Sequence, residues 1–330
     1  MILSDSPIIV TGAAGYLAHL CADEIAGLAA PVLLSDRRAH ECRPDSRVEW
    51  SVDDLRSPDL AARLRSVRDR FGPKCRVLHL AGRFPKSKPE RDATVRADYF
   101  ADNAEVAANL ISSLDAVFSE YLVVNTSTVF PARLGSVNPN ALGDYAESKD
   151  LGADHLKSGR RGNWIDLSLA RILGRPASFD KCAAPQVHDV ITEIWSNRAS
   201  VDGGSEALRV TNPRNQYSYI WWSDLARVVS GALSGRIPAN RRYVVTPESP
   251  ISLSDIANTV ADQANSKSPI STTVEEVESD APHPVVVWEA PSPEIGSLLN
   301  YPESRSVVRA AAESYWGVLN RREARRSDSR

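Results

Sequence analysis

Apolar runs of strand length recur through the first half of the chain, in "PIIVTG", "PVLLSD", "CRVLHLAG", "YLVVNTS" and "WIDLSLARIL". Between them lie "LAHLCADEIAGLAA", "DLAARLRSVRDRF", "ADNAEVAANLISSLDAVF" and "DYAESKDLGADHLKS", whose apolar residues return every three or four positions. Continuous apolar strands alternating with amphipathic helices predict a parallel sheet covered on both faces. The expected fold is therefore α/β, a Rossmann-type doubly wound parallel sheet. Past residue 175 the pattern breaks into short pieces rich in Pro, Gly, Ser and Asn, such as "GRPASFDKCAAP" and "DGGSEALRVTNPRN". This predicts a smaller C-terminal α/β lobe over 176–214 and 247–330. The chain returns to the main domain, residues 1–175, at about 215–246 through "YSYIWWSDLARVV" and "RRYVVT". The end, "NRREARRSDSR", has no apolar face and reads as a frayed terminus.

Composition narrows the function classes. The 330 residues suffice for a large α/β domain with a lobe, and 42% hydrophobic with 25% charged residues is ordinary for a globular chain. A formal net charge of -3, with no basic stripe interleaved with aromatics, argues against a nucleic-acid partner. No apolar run approaches the ~20 residues that a membrane helix requires. The cysteines (Cys21, Cys42, Cys75, Cys182) are scattered, with no C-x-x-C pair and no His in ligand spacing. Neither a metal site nor a disulfide framework is indicated, and a reduced, cytoplasmic protein is expected.

"VTGAAGYLA" follows the first strand and opens the first helix. Gly12 permits a tight turn there, Gly15 lets backbone N–H groups approach a pyrophosphate, and Ala18 allows close helix–strand packing. The second strand ends in Asp36, placed to accept hydrogen bonds from the ribose of NAD; Arg37 and Arg38 could instead hold the 2′-phosphate of NADP. NAD is the expected cofactor, with NADP as the alternative. "SVDDL" puts Asp54 where a carboxylate could reach an adenine amino group, and "HLAG" ends the third strand on small residues, Ala81 and Gly82. Residues 1–175 thus read as a dinucleotide-binding domain and the C-terminal lobe as substrate-binding.

The glycine turn, the strand-end Asp, "DDL", "HLAG", "NTSTVF" and "YAESK", in this order, resemble the extended short-chain dehydrogenase/reductase family. That family includes nucleotide-sugar epimerases, dehydratases and ketoreductases. The resemblance covers residues 7–175 well and "YSYIWWSDLA" less closely. It implies a cofactor set of Gly12, Ala14, Gly15, Tyr16, Leu17, Asp36, Arg37, Asp54, Leu55, Leu80, Ala81, Gly82, Asn103, Tyr145 and Lys149. It makes Tyr145 the catalytic acid/base, Lys149 its partner and a ligand of the nicotinamide ribose, and Thr126 the hydroxyl that holds the reacting oxygen. Residue chemistry agrees: positions i and i+4 share a helix face, and a nearby ammonium would lower the tyrosine from its usual pKa of ~10. Asn103 matches the family's helix asparagine behind the lysine, with a packing role as the alternative.

Departures from the family pattern bear on substrate. Where dehydratases carry an acidic residue after the Ser/Thr, this chain has Ser127 and Thr128, so 4,6-dehydration is disfavoured. Ser168 and Arg171 replace the family's Arg and Asn after the following strand, and Tyr217 replaces a second anion clamp, with Arg214 nearby. Thr126, Ser127, Thr128 and Arg171 are the candidate substrate ligands, Arg171 for a phosphate or carboxylate. Trp221 and Trp222 read as packing in a return strand, and His79 as structural. The leading expectation is an NAD(P)-dependent oxidoreductase transferring hydride at a hydroxyl/keto carbon of a sugar-like metabolite. An epimerase with tightly bound NAD is the alternative, and a non-catalytic dinucleotide sensor the third. The resemblance also implies a homodimer packed through the helices of residues 100–117 and 145–158.

Overall fold

In the computed structural model, which describes residues 5–28, 30–37, 48–52, 54–83, 93–129, 141–174, 187, 189–194, 206–267, 271–278 and 289–327, the chain forms two units. The first comprises Met1–Leu169 and Ala226–Val244; the second comprises Ala170–Leu225 and Val245–Arg330.

The first unit is built on β1 (Ile8–Thr11), β2 (Val32–Asp36), β3 (Val48–Val52), β4 (Lys74–His79), β5 (Glu120–Thr128) and β6 (Gly162–Leu169), with β11 (Arg241–Val245) at one edge. The sheet order is β11-β6-β5-β4-β1-β2-β3, and every pair from β3 to β6 is parallel. The order reverses beside β1, so the ends of β1 and β4 flank the crevice where open α/β sheets bind ligands. The helices are α1 (Tyr16–Ala26), α2 (Leu60–Phe71), α3 (Ala93–Phe100), α4 (Val106–Val117) and α5 (Ala141–Lys157). Residues Ala101–Glu105 join α3 to α4 as a π-helical turn. One sheet face offers Ile9, Cys75, Val77 and Val123 to Leu64 of α2, Leu110 and Leu114 of α4 and Leu156 of α5. Gly152 brings α5 against the π turn: a Cβ there would lie 2.5 Å from the carbonyl oxygen of Asn103.

The second unit contains β7 (Arg171–Leu173), β8 (Glu206–Thr211), β9 (Gln216–Tyr217), β10 (Tyr219–Trp221), β12 (Ile251–Ser252) and β13 (Thr272–Val277). They pair two by two: β10 with β7, β12 with β9 and β13 with β8. Leu173, Leu208, Tyr219, Ile256, Val260, Val308 and Tyr315 form its core with the helices Leu253–Asn265 and Ser304–Ser327. The Ser252 hydroxyl caps the first of these helices by accepting from the Asp255 amide at 3.0 Å.

Three expectations change. "YIW" does not return to the central sheet but pairs with β7, and only Arg241–Val245 joins the sheet. Trp221 ends β10 and Trp222 opens a helix, Trp222–Leu233, whose Leu225, Val228, Val229 and Ala232 are buried at helical spacing. The tail is helical through Ser327, sustained by the Arg, Glu and Ala content of "NRREARRS". Among the described residues no helix is long and apolar enough to cross a membrane.

Candidate active site

The turn after β1 is built on one residue no side chain could replace freely. Gly12 has φ +68°, and a Cβ on it would lie 2.6 Å from the amide nitrogen of Ala81. Gly15 precedes α1, its amide donating to the Gly12 carbonyl at 2.9 Å. The Ala14 amide donates to Asp36 Oδ2 at 3.1 Å, which ties the turn to the end of β2. Tyr16 and Leu17, half-buried, open the helix, and Ala18 is buried beneath them. Gly12→Ala should lower stability by about 2 kcal/mol or more, because positive φ and a backbone collision act together. Denaturant unfolding checks this, and an unchanged midpoint would contradict the geometry.

A cleft of about 420 Å³ opens beside this turn. It is lined by Gly12, Gly15, Asp36, Arg37, Asp54, Leu55, Leu80, Ala81 and Gly82, all expected from the sequence, and by Ser35, Asp102 and Val106, which were not. The Asp54 carboxylate is held by Arg56, whose Nε and Nη2 donate at 3.2 and 3.1 Å; this arginine holds Asp54 below the usual carboxylate range. Arg38 lies outside the described residues. The amides of the turn are engaged within the protein, Ala13 donating to the Ser35 carbonyl at 3.2 Å, Ala14 to Asp36 and Gly15 to the Gly12 carbonyl.

At the far side of Gly82, a second group of residues gathers. Lys149 is largely enclosed, and its Nζ donates to the Thr126 carbonyl oxygen at 3.4 Å. A Cβ on Gly82 would meet that Nζ at 2.8 Å and Asn103 Oδ1 at 2.5 Å. Asn103 is buried in the π turn; its Oδ1 accepts from the Arg83 amide at 2.8 Å and its Nδ2 donates to Ser148 Oγ at 2.9 Å. Ser148 in turn donates to the Tyr145 carbonyl at 2.8 Å, so the asparagine braces the turn of α5 that carries Tyr145 and Lys149. Tyr145 is buried with its ring edge-on to Tyr99, centroids 6.1 Å apart.

Electrostatics correct one expectation. Burial, and after it Tyr99, raises the Tyr145 hydroxyl above its ordinary value; the predicted lowering by Lys149 is not what governs it. Burial also lowers Lys149 to about 8, with Asp166 opposing, and lowers His79 to about 3, with Lys149 contributing. His79 is therefore neutral at ordinary pH, and its Nδ1 lies 2.8 Å from Thr11 Oγ1 beneath the glycine turn.

Thr126, Ser127 and Thr128 are all buried at the end of β5. Ser127 donates to Asp166 Oδ2 at 3.0 Å and Asn125 Nδ2 to Asp166 Oδ1 at 2.9 Å, so one carboxylate grips the residues on either side of Thr126. Arg242 adds a 3.5 Å ion pair to Asp166 and donates to the Thr128 carbonyl at 3.2 Å. Arg171, in the second unit, stacks its guanidinium 5.3 Å above the Tyr217 ring. Sequence reasoning missed Asp102, Ser148 and Asp166. Only the apolar surroundings of Asp166 in "WIDLSL" signalled that a charge there would be buried.

Residues 8–246 match the NAD dependent epimerase/dehydratase family, and the chain belongs to that family of enzymes. The resemblance to extended short-chain dehydrogenases/reductases is thereby borne out. No curated protein matches the chain in sequence. Among solved structures, the WbmG enzyme of Bordetella bronchiseptica in complex with NAD and UDP is similar, with TM-score 0.65 and 15% identity over 94% of this chain and 96% of that one. A UDP-galactose 4-epimerase gives TM-score 0.62 and 18% identity over 95% and 99% of the two chains. The UDP-glucuronic acid 4-epimerase of Bacillus cereus with NAD gives 0.61 and 16% over 94% and 99%. These similarities bear out the doubly wound α/β fold.

Proposed function

We propose that the protein binds NAD in the cleft beside Gly12 and exchanges hydride at a hydroxyl/keto carbon of a sugar-like substrate, with Tyr145 as acid/base. The observation that carries this reading is the cluster at Gly82, where Lys149, Asn103 and the Thr126 carbonyl meet one helical turn from Tyr145. When bound, NAD supplies the hydride exchange and a cationic ring. The chain's own residues do the rest. Gly12, Ala14 and Gly15 would line the pyrophosphate, Asp36 would take the ribose hydroxyls, and Lys149 would hold the nicotinamide ribose. In the direction that reduces a keto carbon, Tyr145, which burial keeps protonated, would donate to the substrate oxygen; in the direction that oxidises a hydroxyl, its phenolate would take that proton, a form burial makes costlier. Thr126 would orient that oxygen. Ser127 and Thr128 carry no group that ionises usefully, which disfavours dehydration, and Arg171 is the candidate anion ligand of a substrate-binding second unit.

A second reading, internal epimerisation with retained NAD, is favoured by the family match and by the 4-epimerases among the structural relatives. Denaturing freshly purified protein and identifying the released dinucleotide by mass spectrometry separates the two. Stoichiometric NAD without net NADH formation supports the epimerase. An empty site that then exchanges NAD with solution supports the net oxidoreductase. Failure to bind either dinucleotide under any condition removes the proposal. A reducing compartment, the cytoplasm, is proposed from the scattered cysteines of the sequence, which form no C-x-x-C pair. A homodimer through α4 and α5 is proposed on the resemblance alone, and sedimentation would test it.

A further inference from the structure

Among the described residues, Arg37 lines the Asp36 end of the cleft and Arg56 lies beside Asp54 and Asp102, and both arginines are paired with carboxylates. Arg37 Nη1 lies 3.4 Å from Asp102 Oδ1, and Arg56 Nη1 lies 3.7 Å from the same oxygen. Arg56 also pairs with Asp54 at 3.1 Å. The Asp102 side chain is 12% exposed against 52% for Arg37, so the carboxylate is the fixed member and the arginine the one held. Asp102 belongs to the π turn, anchored through neighbouring Asn103 to Arg83 and Ser148. Among the described residues here, the carboxylates of Asp36, Asp54 and Asp102 outnumber the guanidiniums of Arg37 and Arg56.

We propose that Asp102 is a positioning residue that makes the cleft select NAD over NADP, by holding Arg37, an arginine on which a 2′-phosphate would draw. The inference rests on the reading of this cleft as a dinucleotide site. A guanidinium is the usual partner of a 2′-phosphate, whereas a bare ribose hydroxyl is served by a carboxylate such as Asp36. A phosphate dianion would have to draw Arg37 from Asp102 and then share the space with that carboxylate, left with the longer 3.7 Å pair to Arg56. An uncharged hydroxyl meets neither obstacle. The ion pair therefore acts on the difference between the two cofactors and hardly on NAD itself.

The test is direct binding, with no turnover needed: calorimetric dissociation constants for NAD⁺ and NADP⁺ on the full chain. Wild type should prefer NAD⁺. Asp102→Asn should tighten NADP⁺ roughly fivefold or more while moving NAD⁺ less than about twofold, since the charge removed faces a dianion in one cofactor and an uncharged hydroxyl in the other. Adding Arg37→Ala to that variant should cancel the gain. Arg37→Ala in the wild-type background should leave NADP⁺ affinity nearly unchanged, because Arg37 is already held; this arm stands even where Asp102→Asn fails to fold. An equal change in both constants, or a selective loss of NADP⁺ binding in the Arg37→Ala single variant, overturns the inference. Wild type that binds NAD⁺ with an unmoved Asp102→Asn ratio overturns it alone. Wild type that binds neither cofactor overturns the dinucleotide reading with it.

Discussion

Tyr145→Phe is expected to lower turnover roughly a thousandfold, the usual contribution of a positioned proton donor or acceptor, while dinucleotide affinity stays within about twofold. The substitution removes one oxygen and keeps the ring. The edge-on contact with Tyr99, 6.1 Å between centroids, survives, and so does the backbone bond from Ser148 to the Tyr145 carbonyl. Fold and cofactor cleft should therefore be unaffected, so a loss of activity reports on the hydroxyl. Burial raises that hydroxyl's pKa, which makes it a proton donor at neutral pH rather than a standing base. Dissociation constants and turnover measured on the same preparation give the answer. Turnover near the wild-type rate would take Tyr145 out of the mechanism. Parallel loss of binding and turnover would make it a packing residue of the cleft.

Much of this site could be read from the chain because its parts are local. Gly12, Gly15 and Asp36 follow strands whose apolar runs are unmistakable, and Tyr145 and Lys149 share one helix face by spacing alone. The continuous apolar runs do not mark β3, whose "VEWSV" instead alternates apolar and polar residues, the period of a strand. What spacing cannot convey is a partner far along the chain. Asp166 reaches Ser127 and Asn125 from the neighbouring strand, and Asp102 reaches Arg37 across the cleft. Nothing in "ADNAEV" marks its first acid as a counterion. The direction of the Tyr145 shift was equally out of reach, because it depends on how much water the packed helices exclude. Proximity of a lysine in sequence predicted the opposite sign.

Lys149→Met should abolish turnover and yet make the protein harder to unfold at neutral pH. Burial lowers this lysine from 10.5 to about 8, so holding its charge in the folded state opposes folding. At 1.36 kcal/mol per pKa unit the opposition would approach about 3 kcal/mol, which the lysine's partial exposure reduces to about 2. Against it stands one long hydrogen bond among the described residues, Nζ to the Thr126 carbonyl at 3.4 Å, worth about 1 kcal/mol or less; the attraction of Asp166 is already contained in the lowered value. A methionine of similar length fills the space without the charge, so the balance favours the variant by about 1 kcal/mol. The sign of the pH dependence follows from the lowered folded-state value. Between about 8 and 10.5 the unfolded chain binds the proton that the folded one has lost, so wild-type stability gains with rising pH from this group. The advantage of Lys149→Met should accordingly be full below pH about 8 and fade above it. Denaturant unfolding of both proteins at neutral pH and again well above the folded-state value measures this. A variant less stable at neutral pH would mean that the ammonium is held by more than the contact at Thr126, and a margin that grows with pH would reverse the assignment of the buried charge.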